Sequence, residues 1–356
     1  MEKITVLSIY DRISVYHTLK PFLYSKHRKN QFDYTSDPEY VLNKDKNEVL
    51  IMLRWFLKPD KVDIEFLKAV RKKYRRIAFF NGNAGGSIIR PEVLPYVDLF
   101  YNKSLFVDRE NHKKIFYGDE LFSQYYHDNY GITDDYPRDR SLPQNDEDLK
   151  KLRISWNIGV ADFPNARYAQ RAGVALSRIF HVKLGKIFYH RNFWKGAAKA
   201  DDPKPMAINA RMGFPPPASI HYQRKMIVEL IKDHPDFLYG RVSQHQFNKE
   251  IKKSKIILSP FGWGELCKRD FEAVYNRSLL LKPEMSHIET WPNIFKPEET
   301  YIPFKWDCSD LIEKGEYWLA HEKERLEVVE NAFESYKTQI NALDDRFEAI
   351  ITEILG

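Results

Sequence analysis

Residues 258–283 read LSPFGWGELCKRDFEAVYNRSLLLKP, and the rest of the chain can be ordered around them. An apolar run ends at Leu258, and Pro260, Gly262 and Gly264 then break the chain. A charged amphipathic stretch follows, and a second apolar run begins at Leu279. The pattern predicts a strand over 254–259, a turn, a helix from about 264 to 276 and a strand over 278–282, which together make one strand–helix–strand unit. In such units the first N–H groups of the helix lack partners and the helix dipole favours an anion. Gly262 and Gly264 carry no side chain that would hold a phosphate away from those amides. Lys268 and Arg269 add positive charge one turn in, and Glu272 has the reach to take paired ribose hydroxyls. The bare turn thus makes room for a nucleoside diphosphate. A structural reading stands beside it: Glu265, Arg269 and Glu272, at i, i+4 and i+7, also fit a salt-bridged solvent face, and glycine turns end strands where nothing binds.

The same alternation runs outward in both directions. Strands are expected over 4–10, 49–53, 77–80, 99–101 and 152–158, with an amphipathic helix over 61–76. The segment 102–150 reads as a helix stopped by Gly131 and then a polar, proline-bearing loop. Residues 191–205 lose periodicity and serve as a linker. The pattern then restarts with a strand over 206–210, a helix over about 219–232, a strand near 237–240 and a helix over 244–253. Strand–helix alternation argues for parallel α/β sheets. The expected architecture is therefore two Rossmann-like domains facing across a cleft, 1–190 and 206–313, with helices over 314–356 packing back toward the N-terminal domain.

The bulk numbers agree with this. At 356 residues the chain exceeds what one core usually organises, and 43% hydrophobic with 30% charged residues is an ordinary globular composition. A net charge of +6 suits an anionic ligand or an anionic membrane surface without demanding nucleic acid. No apolar stretch approaches the roughly 20 residues of a membrane span. The opening MEKITVLSIYDR reads as a strand and not as a signal peptide. Cys267 and Cys308 provide neither a disulfide framework nor metal spacing. These features point to a cytoplasmic protein with possible peripheral membrane contact.

The stretch 206–310 resembles the C-terminal, donor-binding domain of GT-B glycosyltransferases. The matching residues are Ser259-Pro260-Phe261-Gly262, Gly264-Glu265, Arg269 and Phe271-Glu272-Ala273, followed by Leu279-Leu280-Leu281-Lys282-Pro283. The resemblance implies a nucleotide-sugar donor held in the second domain, with the acceptor on the first. It implies Glu272 on the ribose, the amides of Gly262 to Glu265 with Lys268 on the phosphates, and Arg211, at the end of the domain's first strand, as a further phosphate cation. His287, in MSHIET (285–290), falls where the base or sugar would lie, though a lone histidine is more often structural. Six residues separate Glu265 from Glu272, where the retaining pattern has seven, so retention and inversion both stay open.

An inverting reaction takes its general base from the first domain. Asp11, after the first strand, and His17 are the candidates there, with Asp162 in SWNIGVADFP (155–164) a third. Asp11 fits a helix cap equally well, and Asp162 a plain turn. FFNGNAGGS (79–87) is a second glycine-rich turn, out of register with GxGxxG, that is expected to line the acceptor side of the cleft. RKKYRR (71–76) permits a nucleic-acid reading, but it lies on an expected helix and suits a solvated or membrane-proximal face. The eleven histidines show no metal spacing, and no metal or other cofactor is expected, because helix and cations neutralise a leaving diphosphate. The expected function is sugar transfer to a glycan or glycolipid hydroxyl, with no nucleic-acid partner. Another GT-B-fold transferase or epimerase, or a non-catalytic scaffold of the same fold, are the alternatives, and nucleotide titration separates the scaffold from the enzymes.

Overall fold

The computed structural model describes residues 2–28, 30–53, 62–82, 85, 88–133, 142–143, 145–162, 167–189, 192–215 and 218–356. The N-terminal half contributes β1 (Ile4–Leu7), β2 (Phe32–Thr35), β3 (Val49–Leu53), β4 (Arg76–Phe80), β5 (Leu99–Asn102), β6 (Ser104–Phe106) and β7 (Leu152–Ile154). Six of these form one sheet in the order β2-β1-β3-β4-β5-β7, parallel throughout. The C-terminal half contributes β8 (Met206–Asn209), β9 (Phe237–Leu238), β10 (Ser254–Leu258), β11 (Leu279–Pro283), β12 (Ile288–Thr290) and β13 (Ile302–Phe304). Its sheet, β13-β11-β10-β8-β9, is also parallel. Each sheet reverses direction beside its first strand, and such switch points are where open α/β sheets bind ligands, beyond the carboxyl ends of the strands. The chain therefore carries two doubly wound, Rossmann-like domains.

Parallel strands covered on both faces have to be apolar along their whole length. Val49–Leu53 and Leu279–Pro283 are buried at every position. On one face of the first sheet, Leu50, Met52, Phe79 and Phe100 pack with Phe66, Leu67 and Val70 of the helix Ile64–Lys73. The other face meets the last helix, Leu343–Leu355, where Phe347 packs against Phe22, Phe32 and Trp156. Polar bonds add to that contact: Arg28 pairs with Glu348, and the Tyr101 hydroxyl donates to Glu353 at 2.6 Å. The preceding helix, Glu322–Asn341, sets Phe333 and Tyr336 against Trp194 and Phe271.

Several elements differ from the sequence reading. β1 ends at Leu7, and the strand expected over 152–158 stops at Ile154, beyond which the chain turns into a short 3₁₀ helix at Ile158–Val160. Gly131 does stop its helix, Leu121–Tyr130, from a left-handed conformation (φ 64°). The helix Arg167–Ile179 had no counterpart in the periodicity. β6 and β12 are likewise new, a short antiparallel pair joining the first domain to the second. The basic run at 71–76 is largely consumed within the fold. Arg71 pairs with Asp98 (2.8 Å), Arg75 with Glu2 (2.7 Å) and Glu48 (3.2 Å), and Arg76 donates to the carbonyls of Ile354 and Glu353.

Candidate active site

The turn between β10 and the motif helix is pinned by a buried ion pair. Asp270 and Lys282 are both fully buried and 3.0 Å apart. The Ser259 hydroxyl donates to the same carboxylate at 2.6 Å, and the Cys267 N–H at 2.8 Å. Burial pushes the Asp270 carboxyl up and the Lys282 ammonium opposes it. The motif helix therefore begins at Lys268, with Cys267 as its cap, and not near Gly264. Asp270 already caps the helix end that the sequence reading left bare for an anion.

Gly262 lies at a close approach, since a Cβ there would stand 2.8 Å from Cys267 Sγ. Its loop is clamped by the helix Ala218–Ile231. Gln223 accepts the Phe261 N–H at 3.0 Å, and Arg224 donates to the carbonyls of Phe261 and Gly213, each at 2.7 Å. Gly262, Gly264 and Glu265 accordingly fold inward and do not line the cleft. This corrects the expectation that their amides hold a phosphate.

The cleft itself, of about 2010 Å³, lies between the two domains. Its second-domain wall carries Ser259, Arg224 and the first two turns of the motif helix, and its first-domain wall carries Asp11, Asp162 and the helix Arg167–Ile179. Cations dominate: Arg12, Arg167, Arg171, Arg178, Lys195, Arg224, Lys252, Lys268 and Arg269 stand against Asp11, Asp162 and Glu272. An anion is the ligand such a surface suits. Lys268 and Glu272 pair at 3.1 Å along the helix. Arg269 stands out among the cations. Among the described residues its Nε is buried without a hydrogen-bond partner, its Nη1 reaches the Leu258 carbonyl only at 3.5 Å, and its guanidinium lies 5.6 Å from the Phe247 ring centre. Burial lowers its pKa, so the wall holds a cation whose donors are under-used at the carboxyl end of a central strand.

Three expected residues lie elsewhere. Arg211 is held away from the cleft by Glu250, with bonds of 2.8 and 3.0 Å, and by the Tyr239 carbonyl. Glu265 is fully buried, 3.7 Å from His287 Nε2. His287 packs on Trp306, and neither of its ring nitrogens has a hydrogen-bond partner among the described residues. It is not among the residues that line the cleft. Arg224, for which the sequence gives no expectation, lines the cleft where Arg211 was expected as a phosphate cation. The glycine-rich turn at 79–87 contributes no described residue to the cleft; its Gly86, like residues 163 and 164 of the 155–164 turn, lies outside the described residues.

On the first-domain wall Asp11 and Asp162 both line the cleft while His17 does not. Asp11 Oδ1 accepts the Ser14 N–H at 2.7 Å, so the capping role is real and one carboxylate oxygen serves it. A π-helical turn, Ser14–Thr18, then carries His17 into the interior, where Nε2 meets the Asn157 carbonyl at 2.8 Å and Nδ1 meets the Thr18 hydroxyl at 3.2 Å. Both ring nitrogens are engaged, which corrects the expectation of a catalytic His17. Asp162 is buried on the cleft floor with Lys20 Nζ at 3.8 Å. Burial drives the Lys20 ammonium down to about 8 against the pull of Asp162, and burial followed by the Asp162 charge pushes Tyr16 up to about 12.

No protein-family model matches the chain, and no curated protein matches it. Solved structures do. An alpha-glucosyltransferase in complex with UDP is 10% identical, with 99% of each chain covered and a TM-score of 0.49. A glycosyltransferase from Rickettsia africae is 11% identical, covering 99% of this chain and 98% of its own, with a TM-score of 0.46. Sucrose-phosphate synthase from Thermosynechococcus elongatus is 10% identical, covering 100% and 99%, with a TM-score of 0.45. At such identities the chemistry has to be read from the side chains of this chain.

Proposed function

We propose that the protein is a glycosyltransferase that moves a sugar from a nucleotide-sugar donor to an acceptor hydroxyl. The observation that carries this is the under-bonded Arg269 guanidinium, set on a cationic wall one helical turn from Glu272 and facing carboxylates across the cleft. Arg269, Lys268 and Arg224 hold the donor diphosphate, and Glu272 takes the ribose hydroxyls. Asp11 accepts the proton of the attacking hydroxyl as its oxygen bonds to the anomeric carbon and the carbon–oxygen bond to the diphosphate breaks. The departing negative charge falls on the three cations. Asp162 is the reserve base. An inverting outcome accords with a base on the opposite wall and with Glu265 buried away from the cleft.

The leaving group is neutralised by these side chains without a metal ion. The acceptor is a glycan or glycolipid in surface polysaccharide or glycolipid synthesis, and not nucleic acid: in the most obvious basic stretch, 71–76, Arg71 and Arg75 are already paired with carboxylates. A cytoplasmic setting accords with two unpaired cysteines. Calorimetry against a panel of nucleoside diphosphates and nucleotide sugars tests the reading. The enzyme should bind at least one diphosphate and, with an acceptor present, release it from the matching sugar donor. A chain that binds none is not a transferase of this kind.

A further inference from the structure

The helix Arg167–Ile179 and the 3₁₀ turn Val182–Phe188 turn apolar side chains to solvent: Tyr168 is 84% exposed, Ile179 72%, Phe180 70% and Ile187 68%. Ordinary amphipathic helices do the reverse. Here the inward face is made of small residues, Gly173 and Ser177, with Gly173 set against the Tyr16 hydroxyl. The outward stripe at i, i+4, i+7 and i+11 is Tyr168, Ala172, Ala175 and Ile179, and all four are exposed. The two elements are packed on each other, since a Cβ at Gly185 would stand 2.9 Å from Ser177 Oγ. Their exposed apolar groups therefore belong to one surface.

Cations border that surface. Arg167 and Arg171 lie on the helix face between the apolar stripe and the cleft, and neither forms an ion pair with a described residue. On the turn, Lys183 is exposed and Lys186 sits 4.8 Å from the ring of the half-exposed Tyr24. No acidic residue occurs from 163 to 189. Large exposed apolar residues mark an interaction surface, and a basic rim fixes the sign of the partner. A second copy of this chain meeting the same surface about a two-fold axis would set cations against cations. We infer that this surface docks on an anionic lipid bilayer, the apolar side chains entering the headgroup boundary and the cations meeting lipid phosphates. The cleft, lined by the same helix, then opens beside the membrane. Among the described residues no helix is long and apolar enough to cross one.

The full chain is spun with vesicles of phosphatidylcholine alone or of phosphatidylcholine mixed with phosphatidylglycerol. No sugar donor is present, so the result does not depend on the transferase reading. The wild type should pellet with the anionic vesicles and remain free of the zwitterionic ones. The double variant Phe180→Ser, Ile187→Ser should lose at least about tenfold in vesicle affinity at an unchanged melting temperature, because both side chains are already in water. Lys183→Glu should also weaken binding, and its effect should shrink as salt is raised. Absence of wild-type binding, equal binding to both vesicle types, or a soluble dimer that the double variant dissociates would each overturn the inference.

Discussion

Replacing Arg269 by glutamine separates binding from folding more sharply than any other change in the cleft. In a typical protein, truncating a half-buried arginine costs stability because bonds are lost. Here Nε has no partner among the described residues and Nη1 makes only a 3.5 Å contact with Leu258 O. An unsatisfied buried donor costs roughly 1–3 kcal/mol, and its removal offsets the loss of the Phe247 ring contact, worth about 0.5–1 kcal/mol. Arg269→Gln should therefore melt at or slightly above the wild-type temperature. Diphosphate binding should respond in the opposite direction. Charge-assisted hydrogen bonds are worth about 1.5–3 kcal/mol, so affinity should fall by a factor on the order of 10–150. Differential scanning calorimetry and titration calorimetry on the same preparation read both quantities. A variant that binds diphosphate normally, or that loses more than about 3 kcal/mol of stability, would show that Arg269 is a structural residue and would remove the main support for the donor site.

Three further changes test other parts of the structure. Asp11→Asn keeps an oxygen to cap Ser14 and so should fold normally and bind diphosphate, while turnover falls by a factor on the order of 10²–10⁴; an undiminished rate together with a collapsed rate in Asp162→Asn would move the base to the reserve residue. Lys282→Met leaves the Asp270 carboxylate buried without its cation and should cost about 3–5 kcal/mol in urea unfolding, with partial recovery on adding Asp270→Asn; a neutral single variant would mean that Asp270 is held protonated. Lys20 has its pKa lowered to about 8 by burial, so between pH 8 and 10.5 the unfolded chain binds more protons than the fold. Its ammonium burial therefore costs stability in full below pH 8, and stability is regained as pH rises through that window, on the order of 1 kcal/mol per pH unit. Melting curves of Lys20→Met should rise less steeply than wild type from pH 8 to 10, and parallel curves would contradict the assignment.

What could be read in advance was local. The helix Gln244–Lys253 carries its own signals: Ser243 Oγ takes the Gln246 N–H at 3.1 Å, and two lysines close the last turn. The buried runs of β3, β10 and β11 mark themselves by apolarity, and with the glycine turn they disclose the parallel sheets. The start of the motif helix misled because Cys267 is not a usual cap; the group that closes that end is Asp270, three residues inside. The helix Arg167–Ile179 escaped because its apolar stripe faces water while Gly173 and Ser177 make the packed face, the inverse of what periodicity registers. β6 and β12 are three residues each and pair across more than 180 positions of sequence, where no local pattern operates. Arg224 gave no sign because its role depends on carbonyls contributed by two distant loops.

The first-domain wall is also not independent of the second domain. Asn157 is fully buried, and all its polar groups are in use. Its backbone N–H donates to the Trp291 carbonyl at 2.7 Å, and its Nδ2 to Thr290 Oγ1 and the Pro292 carbonyl, both at 2.8 Å. Its Oδ1 accepts the Gly159 N–H at 2.8 Å and so shapes the turn that leads to Asp162. Its carbonyl can only accept, so His17 Nε2 must carry the ring proton, which leaves Nδ1 to accept from the Thr18 hydroxyl. His17 in turn belongs to the π-helical turn that follows Asp11. One residue, through its carbonyl and its side chain, thus links the Asp11 loop, the Asp162 turn and the strand β12 of the other domain. A buried network of this kind is costly when half satisfied and rigid when complete. The turns that carry Asp11 and Asp162 are therefore braced in part from the second domain, and both carboxylates line the one cleft.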